Sequence, residues 1–347
     1  MMEILIMFPV IKRGAGIDLM FRKELADEYG WDLSSVKELK DLEPMLEDAK
    51  NAGIKYPFLM QQTGLFWRFY LDKYDSILSD SLLGVDQEQD IIAALPWTEE
   101  YQEFTTLMCE WAEKGYVSED EVIKVTDATT TQTKDWAVSF WVDVPNNAEA
   151  NARYGQEVEL VKVTECWSTS NIMIGSCYGV TAYSTEAQAQ ACVDFLELLY
   201  TDSELADLWT YGIEGTDYVR NEDNTVSKTG DLYNHSAWES GSVLNISLEE
   251  GEPSNKIELY EKFNEGIKAS CASGFRFDKS QFEAQYSACL NLAEQYGYVL
   301  ECGGYPADKT EKIIKEYQEA LNAAGFQEIL TEANRQYEEW KKVRDAE

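Results

Sequence analysis

Few residues of this chain have the types and spacing that nucleophilic catalysis needs. His235 is the only histidine, so a serine or cysteine triad would have to use it. It lies in a turn-like stretch, where an exposed loop histidine is the simpler interpretation. No Walker loop, G-x-G-x-x-G, H-E-x-x-H or G-x-S-x-G motif occurs in the sequence. The sequence therefore offers no catalytic residue.

The cysteines do not form a metal-binding pattern. No two of them stand at C-x-x-C spacing, and with one histidine there is no zinc constellation. Most lie in apolar stretches, where a free thiol behaves as a small hydrophobic group. We expect structural roles for Cys109, Cys166, Cys177, Cys192, Cys271, Cys289 and Cys302, and no metal ligand among them.

The charge balance excludes one class of partner. The chain has 64 Asp and Glu residues against 29 Lys and Arg, a formal net charge of −35. Such a surface repels phosphate backbones and anionic headgroups, so we expect no nucleic-acid partner. Paired carboxylates could catalyse glycoside hydrolysis, but among 64 acids some pair reaches the needed separation by chance.

Tryptophans in polar surroundings are more informative. Three of the ten lie at strand ends or in loops beside amides, hydroxyls or a carboxylate. Sugars stack on flat apolar rings and hydrogen-bond to such groups. The predicted ligand-binding residues are Trp67 with Gln61 and Gln62, Trp141 with Asp143, and Trp167 with Ser168 and Asn171. The alternative is that these tryptophans are core residues.

Capping residues predict several helices. One helix begins after Thr98, ends at Gly115, and directs Tyr101, Phe104, Met108 and Trp111 to one face. The capping box Thr185-x-x-Gln188 begins a second helix, and Thr201-x-x-Glu204 begins a third that ends at Gly212. From Ser280 onward the apolar spacing predicts a mostly helical region.

Short apolar segments between these helices have strand character. They span residues 56–60, 136–144, 158–163 and 172–181. Strands that alternate with helices predict an α/β fold with mostly parallel sheets. Residues 218–226 predict a hairpin around Asp223 and Asn224.

The first eleven residues do not have the pattern of a signal peptide. They carry an acid where basic residues belong, and no small-residue cleavage site or lipobox cysteine follows. A buried strand is the better interpretation. No run of about 18 apolar residues occurs, so we expect no membrane span.

Ordered motifs over nearly the whole chain resemble those of a known family. They are Leu19-Met-Phe-Arg-Lys-Glu-Leu-Ala-Asp-Glu-Tyr-Gly30, Lys40-Asp-Leu-Glu-Pro-Met-Leu46, Tyr211-Gly-Ile-Glu-Gly-Thr-Asp-Tyr218, Gly274-Phe-Arg-Phe-Asp278, Leu321-Asn-Ala-Ala-Gly325 and Glu332-Ala-Asn-Arg-Gln-Tyr-Glu-Glu-Trp340. This set resembles extracellular solute-binding lipoproteins of ABC sugar importers, in the branch with a C-terminal domain of unknown function.

The resemblance implies a two-lobe α/β fold of the periplasmic-binding-protein type II class. Relatives begin with a lipoprotein signal, which is followed by the bulk of a first lobe. We expect neither segment in this sequence. The expected organisation is a hinge strand and first-lobe remnant over 1–16, a second α/β lobe over 17–172, a return segment with the hairpin over 173–225, and a helical C-terminal domain over 226–347.

The implied function is sugar capture without catalysis or cofactor. An oligosaccharide, or another polar small solute, would bind between two lobes that close by hinge motion, and ABC permease subunits would receive it. Tyr211 joins the predicted ligand-binding residues through its motif. Full-length relatives are membrane-anchored extracellular lipoproteins. The alternatives are a glycoside hydrolase with paired carboxylates and a truncated fragment without function.

One motif of the family is only partly present. Trp238-Glu-Ser-Gly241 corresponds to the family pattern W-x-x-G-N-Q, but Ser242 and Val243 stand where relatives have the two amides. A ligand contact made by that amide pair in relatives is therefore not expected at this position.

Overall fold

The computed structural model describes residues 5–6, 14, 16–61, 64–127, 129–142, 144–169, 178–230, 233, 235, 237 and 241–346. Its strands are β1 (Leu5–Ile6), β2 (Ile17–Arg22), β3 (Tyr56–Phe58), β4 (Tyr74–Leu78), β5 (Leu83–Asp86), β6 (Ile91–Ala94), β7 (Trp136–Val142), β8 (Val158–Lys162), β9 (Trp167–Ser168), β10 (Tyr178–Gly179), β11 (Tyr218–Arg220), β12 (Val226–Lys228) and β13 (Lys268–Ala269).

The helices alternate with these strands in the first half of the chain and dominate its end. They are α1 (Lys23–Tyr29), α2 (Glu43–Asn51), α3 (Phe66–Phe69), α4 (Ser79–Leu82), α5 (Glu99–Lys114), α6 (Glu119–Val122), α7 (Ala148–Tyr154), α8 (Glu186–Thr201), α9 (Ser203–Tyr211), α10 (Lys256–Glu265), α11 (Glu283–Leu292), α12 (Tyr298–Glu301), α13 (Thr310–Ala323) and α14 (Phe326–Arg344). A π-type turn, Ala293–Gly297, joins α11 to α12.

The chain divides into two compact units. Unit 1 comprises residues 1–14 and 171–267, and unit 2 comprises 15–170 and 268–347. The chain therefore leaves unit 2 once and returns to it. The domain boundaries expected from the sequence stay predictions beside this division.

A four-stranded sheet organises unit 2. Its strand order is β3-β7-β2-β8. The central strand β2 is buried along its whole length, with Leu19 and Phe21 in the large core on one face and Met20 in a smaller core on the other. Strands that are apolar on both faces fit a sheet that is covered on both sides.

The prediction of mostly parallel sheets is wrong. Within the described residues, the parallel strand pairs are β3 with β7 and β9 with β13, whereas β2 runs antiparallel to both of its neighbours. Strands β4, β5 and β6 form a separate antiparallel sheet. Their connections are too short for parallel crossovers, which need a dozen or more residues.

Helix α5 forms as its capping residues predict. The Thr98 side chain accepts a hydrogen bond from the backbone N–H of Tyr101, and Gly115 ends the helix in the left-handed conformation with φ of 77°. Tyr101, Phe104 and Met108 are buried in the large core. Trp111 is also buried, and its indole N–H donates to the Glu43 carboxylate at 3.1 Å.

The predicted helical C-terminal region packs into unit 2. Helices α12 and α13 both contact α5. Ile314, Tyr317 and Leu321 of α13 and Ile329 of α14 are buried in the same large core as α5. One continuous core thus joins the two chain segments of unit 2.

Most of the helices and turns predicted for the residues of unit 1 are confirmed. The Thr185 capping box begins α8, and β11 and β12 form the predicted hairpin, with Asn224 at a positive φ of 65°. The predicted start of α9 at Thr201 is wrong by one residue. The N-cap is Asp202, whose side chain accepts a hydrogen bond from the Leu205 N–H. Of the N-terminal segment, Leu5–Ile6 pairs with β10.

The described residues contain no helix that is long and apolar enough to cross a membrane. In the same residues no group of three or more His, Cys, Asp or Glu side chains could hold a metal ion. Cys177 lies outside the described residues, and the other six cysteines are free thiols.

Asp90 links the turn before β6 to the last helix. Its carboxylate accepts from the Tyr337 hydroxyl at 2.6 Å and lies 2.8 Å from the Arg344 guanidinium. The hydrogen bond from Arg344 lowers the pKa of Asp90 from its usual 3.8 to about 2. Asp90 has a positive φ of 54°, a conformation that asparagine also tolerates.

We therefore expect Asp90→Asn to cost about 1 kcal/mol at pH 7, a value kept low because the pair is partly exposed. A carboxyl group whose pKa is lower in the folded state stabilises that state at pH values above its pKa in the unfolded chain. For Asp90 this contribution is lost as the pH falls towards about 2. Urea unfolding of both proteins from pH 7 to pH 3 should show the difference shrinking. A difference that is constant over this range would contradict the assignment.

Candidate functional site

One edge of the four-stranded sheet gathers most of the described site residues. β3 runs parallel to β7, and β7 and β8 are both antiparallel to β2, so β3, β7 and β8 end at the same edge. Loops that follow strand ends in such sheets form ligand crevices. Gln61 follows β3, Trp141 lies at the end of β7, and Trp167 follows β8.

Gln61 is fixed against β7. It has a positive φ of 56°, which is uncommon for a residue with a side chain. Its amide Nε2 donates to the Ser139 hydroxyl at 2.8 Å and to the Phe140 carbonyl at 3.4 Å. The Ser139 hydroxyl in turn donates to the Leu59 carbonyl at 2.8 Å. The side chain is half-buried and so keeps contact with solvent.

Trp67 lies beside the same strand through Arg68. The Arg68 guanidinium carbon is 4.4 Å from the centroid of the Trp67 ring and 4.9 Å from that of Phe140. A guanidinium within about 6 Å of aromatic centroids is attracted to them. Phe140 thus contacts Gln61 through its carbonyl and Arg68 through its ring, and the Trp67 side chain is half-buried.

Trp167 is oriented by a carboxylate. Its indole N–H donates to Asp72 at 2.8 Å, and the same carboxylate oxygen accepts from the Glu165 N–H at 2.8 Å. The Lys268 ammonium is 5.6 Å from the centroid of the Trp167 ring. Ser168 follows in β9, and its carbonyl accepts from the Ser270 N–H at 3.1 Å. Both Trp167 and Ser168 are half-buried.

Trp141 lies on a different face from this group. It packs edge to face on Tyr154, with 5.4 Å between the ring centroids, and joins the smaller core of unit 2. Across the sheet it pairs with Asp18 of β2, which is buried. Its side chain is half-buried. Trp141 therefore lies at the same sheet edge as Gln61, but on the face of β7 opposite to the Phe140 ring.

Tyr211 belongs to unit 1 and is 1% exposed. Its hydroxyl donates to the Ser247 carbonyl at 2.7 Å, and burial raises its pKa. The geometry is that of a core tyrosine, and a role in ligand binding stays a prediction. Gln62, Asp143 and Asn171 lie outside the described residues.

A pocket of about 290 Å³ lies elsewhere in unit 2 and contains none of the predicted residues. Its floor includes Phe69, Phe104 and Leu107, and Lys40 is one of the charged residues lining it. Burial is the main cause that raises the pKa of Tyr70, in its wall, to about 12, so this hydroxyl remains protonated at neutral pH.

The polar partners of the tryptophans are not among the residues predicted from the sequence. Arg68, the partner of Trp67, directly follows it in the sequence, and Asp72, the partner of Trp167, stands five positions after Trp67, so a cation and an acid close to a tryptophan could have marked them. Lys268 had no such signal, because it is 101 positions away from Trp167 and reaches it only through the pairing of β9 with β13.

Known proteins are similar to this chain in two ways. Residues 271–342 match the family described as a domain of unknown function, DUF3502. The crystal structure of the N-glycan transport solute binding protein NgtS from Streptococcus pneumoniae is similar with a TM-score of 0.81 and 22% identity, over 97% of this chain and 75% of that chain. No curated protein matches the sequence.

Two further solved structures share the fold at lower similarity. The substrate binding protein FusA of an ABC transporter from S. pneumoniae, in complex with kestose, has a TM-score of 0.56 and 12% identity, over 95% of this chain and 73% of that chain. An HMO binding, ABC-transporter associated solute binding protein from Bifidobacterium longum infantis has a TM-score of 0.53 and 11% identity, over 94% and 74%. The chain thus has the α/β fold of periplasmic solute-binding proteins, as expected.

Proposed function

We propose that this protein is the substrate-binding component of an ABC importer and that it binds an oligosaccharide without catalysis. The observation that carries the proposal is the group at the edge of the unit 2 sheet. There Trp67 and Trp167 are each half-buried, with Arg68 over the Trp67 ring and Asp72 accepting from the Trp167 indole. The Gln61 carboxamide donates to the carbonyl of Phe140, whose ring Arg68 also contacts. Rings of this kind stack on sugar faces, and amides receive hydroxyl groups.

The structural neighbours support the class of ligand. NgtS is named for N-glycan transport, and FusA is bound to kestose. Both are solute-binding proteins, which supports capture of a sugar over its hydrolysis. The net charge of −35 favours a neutral sugar over an acidic one, since a negative field repels anions.

The finer parts of the proposal follow from the resemblance. Two lobes would close around the sugar, and the closed form would deliver it to ABC permease subunits. In this proposal the protein acts outside the cell as a membrane-anchored lipoprotein, as the resemblance implies. A decrease in the radius of gyration upon addition of ligand, measured by small-angle X-ray scattering, would support lobe closure.

A thermal-shift panel tests the proposed function. It contains N-glycan fragments, kestose, maltose and a peptide of similar size, each at a concentration well above the expected Kd. A ligand present at a hundredfold excess over Kd stabilises the folded state by about 2.7 kcal/mol. We expect a clear rise in Tm with at least one oligosaccharide and none with the peptide. A rise in Tm with the peptide alone would show that the ligand is a polar solute other than a sugar.

Two other outcomes would reject the proposal. Steady release of product from oligosaccharides or aryl glycosides would identify a hydrolase, because a binding protein makes and breaks no bond. Unchanged melting curves for every compound in the panel would favour a fragment without binding function.

A further inference from the structure

Two buried carboxylates hold the described residues on either side of positions 62 and 63. On one side, Glu121 accepts a hydrogen bond from the Met60 N–H at 2.7 Å. On the other side, Glu301 accepts from the Phe66 N–H at 3.2 Å. Both glutamates are at most 1% exposed. Gln61 and Trp67 each stand next to one of these two amides.

Such an arrangement is costly unless it is specifically satisfied. Burying a carboxylate loses its hydration, and hydrogen bonds must replace it. Glu121 also accepts from the Thr126 hydroxyl. Glu301 approaches the backbone closely because residue 64 is a glycine: a Cβ there would lie 2.5 Å from a Glu301 carboxylate oxygen.

The C-terminal region makes one of these contacts and supports the other. Glu301 and Tyr298 both belong to α12, within the part of the chain that matches DUF3502. The Tyr298 hydroxyl donates to the Glu121 backbone carbonyl at 2.9 Å, so it holds the backbone of the residue that carries the other carboxylate. The π-type turn Ala293–Gly297 directly precedes α12, and such turns are frequent at functional sites.

Phe66 transmits this contact to the site. It is buried among aromatic rings and stacks on Tyr70 with 4.7 Å between centroids. It is also the first residue of α3, which comprises Phe66–Phe69 and carries Trp67 as its second residue. A carboxylate at the beginning of a helix satisfies N–H groups that have no partner within the helix. In so short a helix, the contact holds the backbone one residue before Trp67.

We infer that Glu301 is a positioning residue for Trp67, and that the C-terminal helical region orders the sugar-binding edge of unit 2 through it. Glu121 holds the Gln61 side of the same edge. This inference rests on the proposed function in so far as Trp67 contacts the sugar. Pre-organisation of a binding group improves affinity because less freedom is lost upon binding.

The test combines ligand affinity with amide exchange. Glu301→Ala should weaken sugar binding about tenfold, measured by calorimetry well below Tm, and Glu301→Gln should stay within about threefold because its amide oxygen still accepts from Phe66. In a Trp67→Ala background, Glu301→Ala should cause no further loss, since both changes act through one ring. An additional tenfold loss in that background would overturn the inference.

Two matched variants separate positioning from stability. Ile329→Ala removes a buried side chain of α14 and should lower Tm while leaving the affinity unchanged below Tm. Gly64→Ala removes no buried group but displaces the Glu301 carboxylate, so it should weaken binding as Glu301→Ala does. Wild-type affinity in Gly64→Ala would overturn the inference even if Glu301→Ala failed to fold.

Hydrogen exchange without sugar keeps the two proposals distinguishable. Peptides covering residues 64–69 should exchange faster in Gly64→Ala and Glu301→Ala than in Ile329→Ala. If wild type binds no sugar in the panel, the proposed function fails while this exchange result still decides whether Glu301 orders the segment. Equal exchange in all variants would show that it does not.

Discussion

Replacing Trp136 with alanine is expected to lower the free energy of unfolding by about 3 to 5 kcal/mol, because the change leaves a large cavity. Trp136 is fully buried at the beginning of β7, and its indole N–H donates to the Thr131 carbonyl at 2.8 Å. Urea unfolding followed by circular dichroism measures the change. Sugar affinity, measured at low temperature on the protein that remains folded, should not change.

Trp141 on the same strand is the matched variant. It is only half-buried and lies at the strand end that carries the proposed site. If it is a stacking platform, Trp141→Ala should weaken sugar binding by about 1 to 3 kcal/mol with a smaller loss of stability. A Trp141→Ala protein that melts as low as Trp136→Ala and binds sugar normally when cold would assign Trp141 to the core instead.

Gly303→Ala is the second change with a large expected effect. Gly303 has a positive φ of 73°, and a Cβ at this position would lie 2.4 Å from the Met108 carbonyl oxygen and 2.7 Å from the Ala112 Cβ. The strained conformation and the clash with α5 together should cost about 2 to 5 kcal/mol. The measurement is the same urea unfolding, with wild type alongside.

A second glycine separates the two causes. Gly30 also has a positive φ, of 65°, but a Cβ there would meet nothing within 4 Å. Gly30→Ala should therefore cost only about 1 kcal/mol, from the left-handed conformation alone. Equal losses at both positions would show that close packing of Gly303 on α5 contributes nothing.

Local chemistry in the sequence was enough to predict single elements. Thr98 and Gly115 set the ends of α5 because a side-chain oxygen satisfies free N–H groups and a glycine adopts the left-handed conformation. Asp223 and Asn224 predicted the hairpin of β11 and β12 because aspartate and asparagine favour tight turns. These signals act within a few residues, so one sequence is sufficient to detect them.

Contacts between distant residues were not predictable in this way. The direction of β2 relative to β7 and β8 depends on pairing across more than 100 residues, and nothing within β2 encodes it. The tryptophans could be found by their polar neighbours, but not the face on which each lies. Trp141 packs on Tyr154, whereas Trp67 contacts Arg68. Which of these surroundings each tryptophan has depends on how the distant strands pair.

The interrupted path of unit 2 has a consequence for synthesis on the ribosome. Residues 15–170 emerge first, but the helices that cover α5 come only after residue 267. At about 5 to 20 residues per second, the segment 171–267 delays them by roughly 5 to 20 s. During that interval the part of α5 that packs on α12 and α13 has no cover, and we expect chaperones that bind exposed apolar helices to recognise the nascent chain.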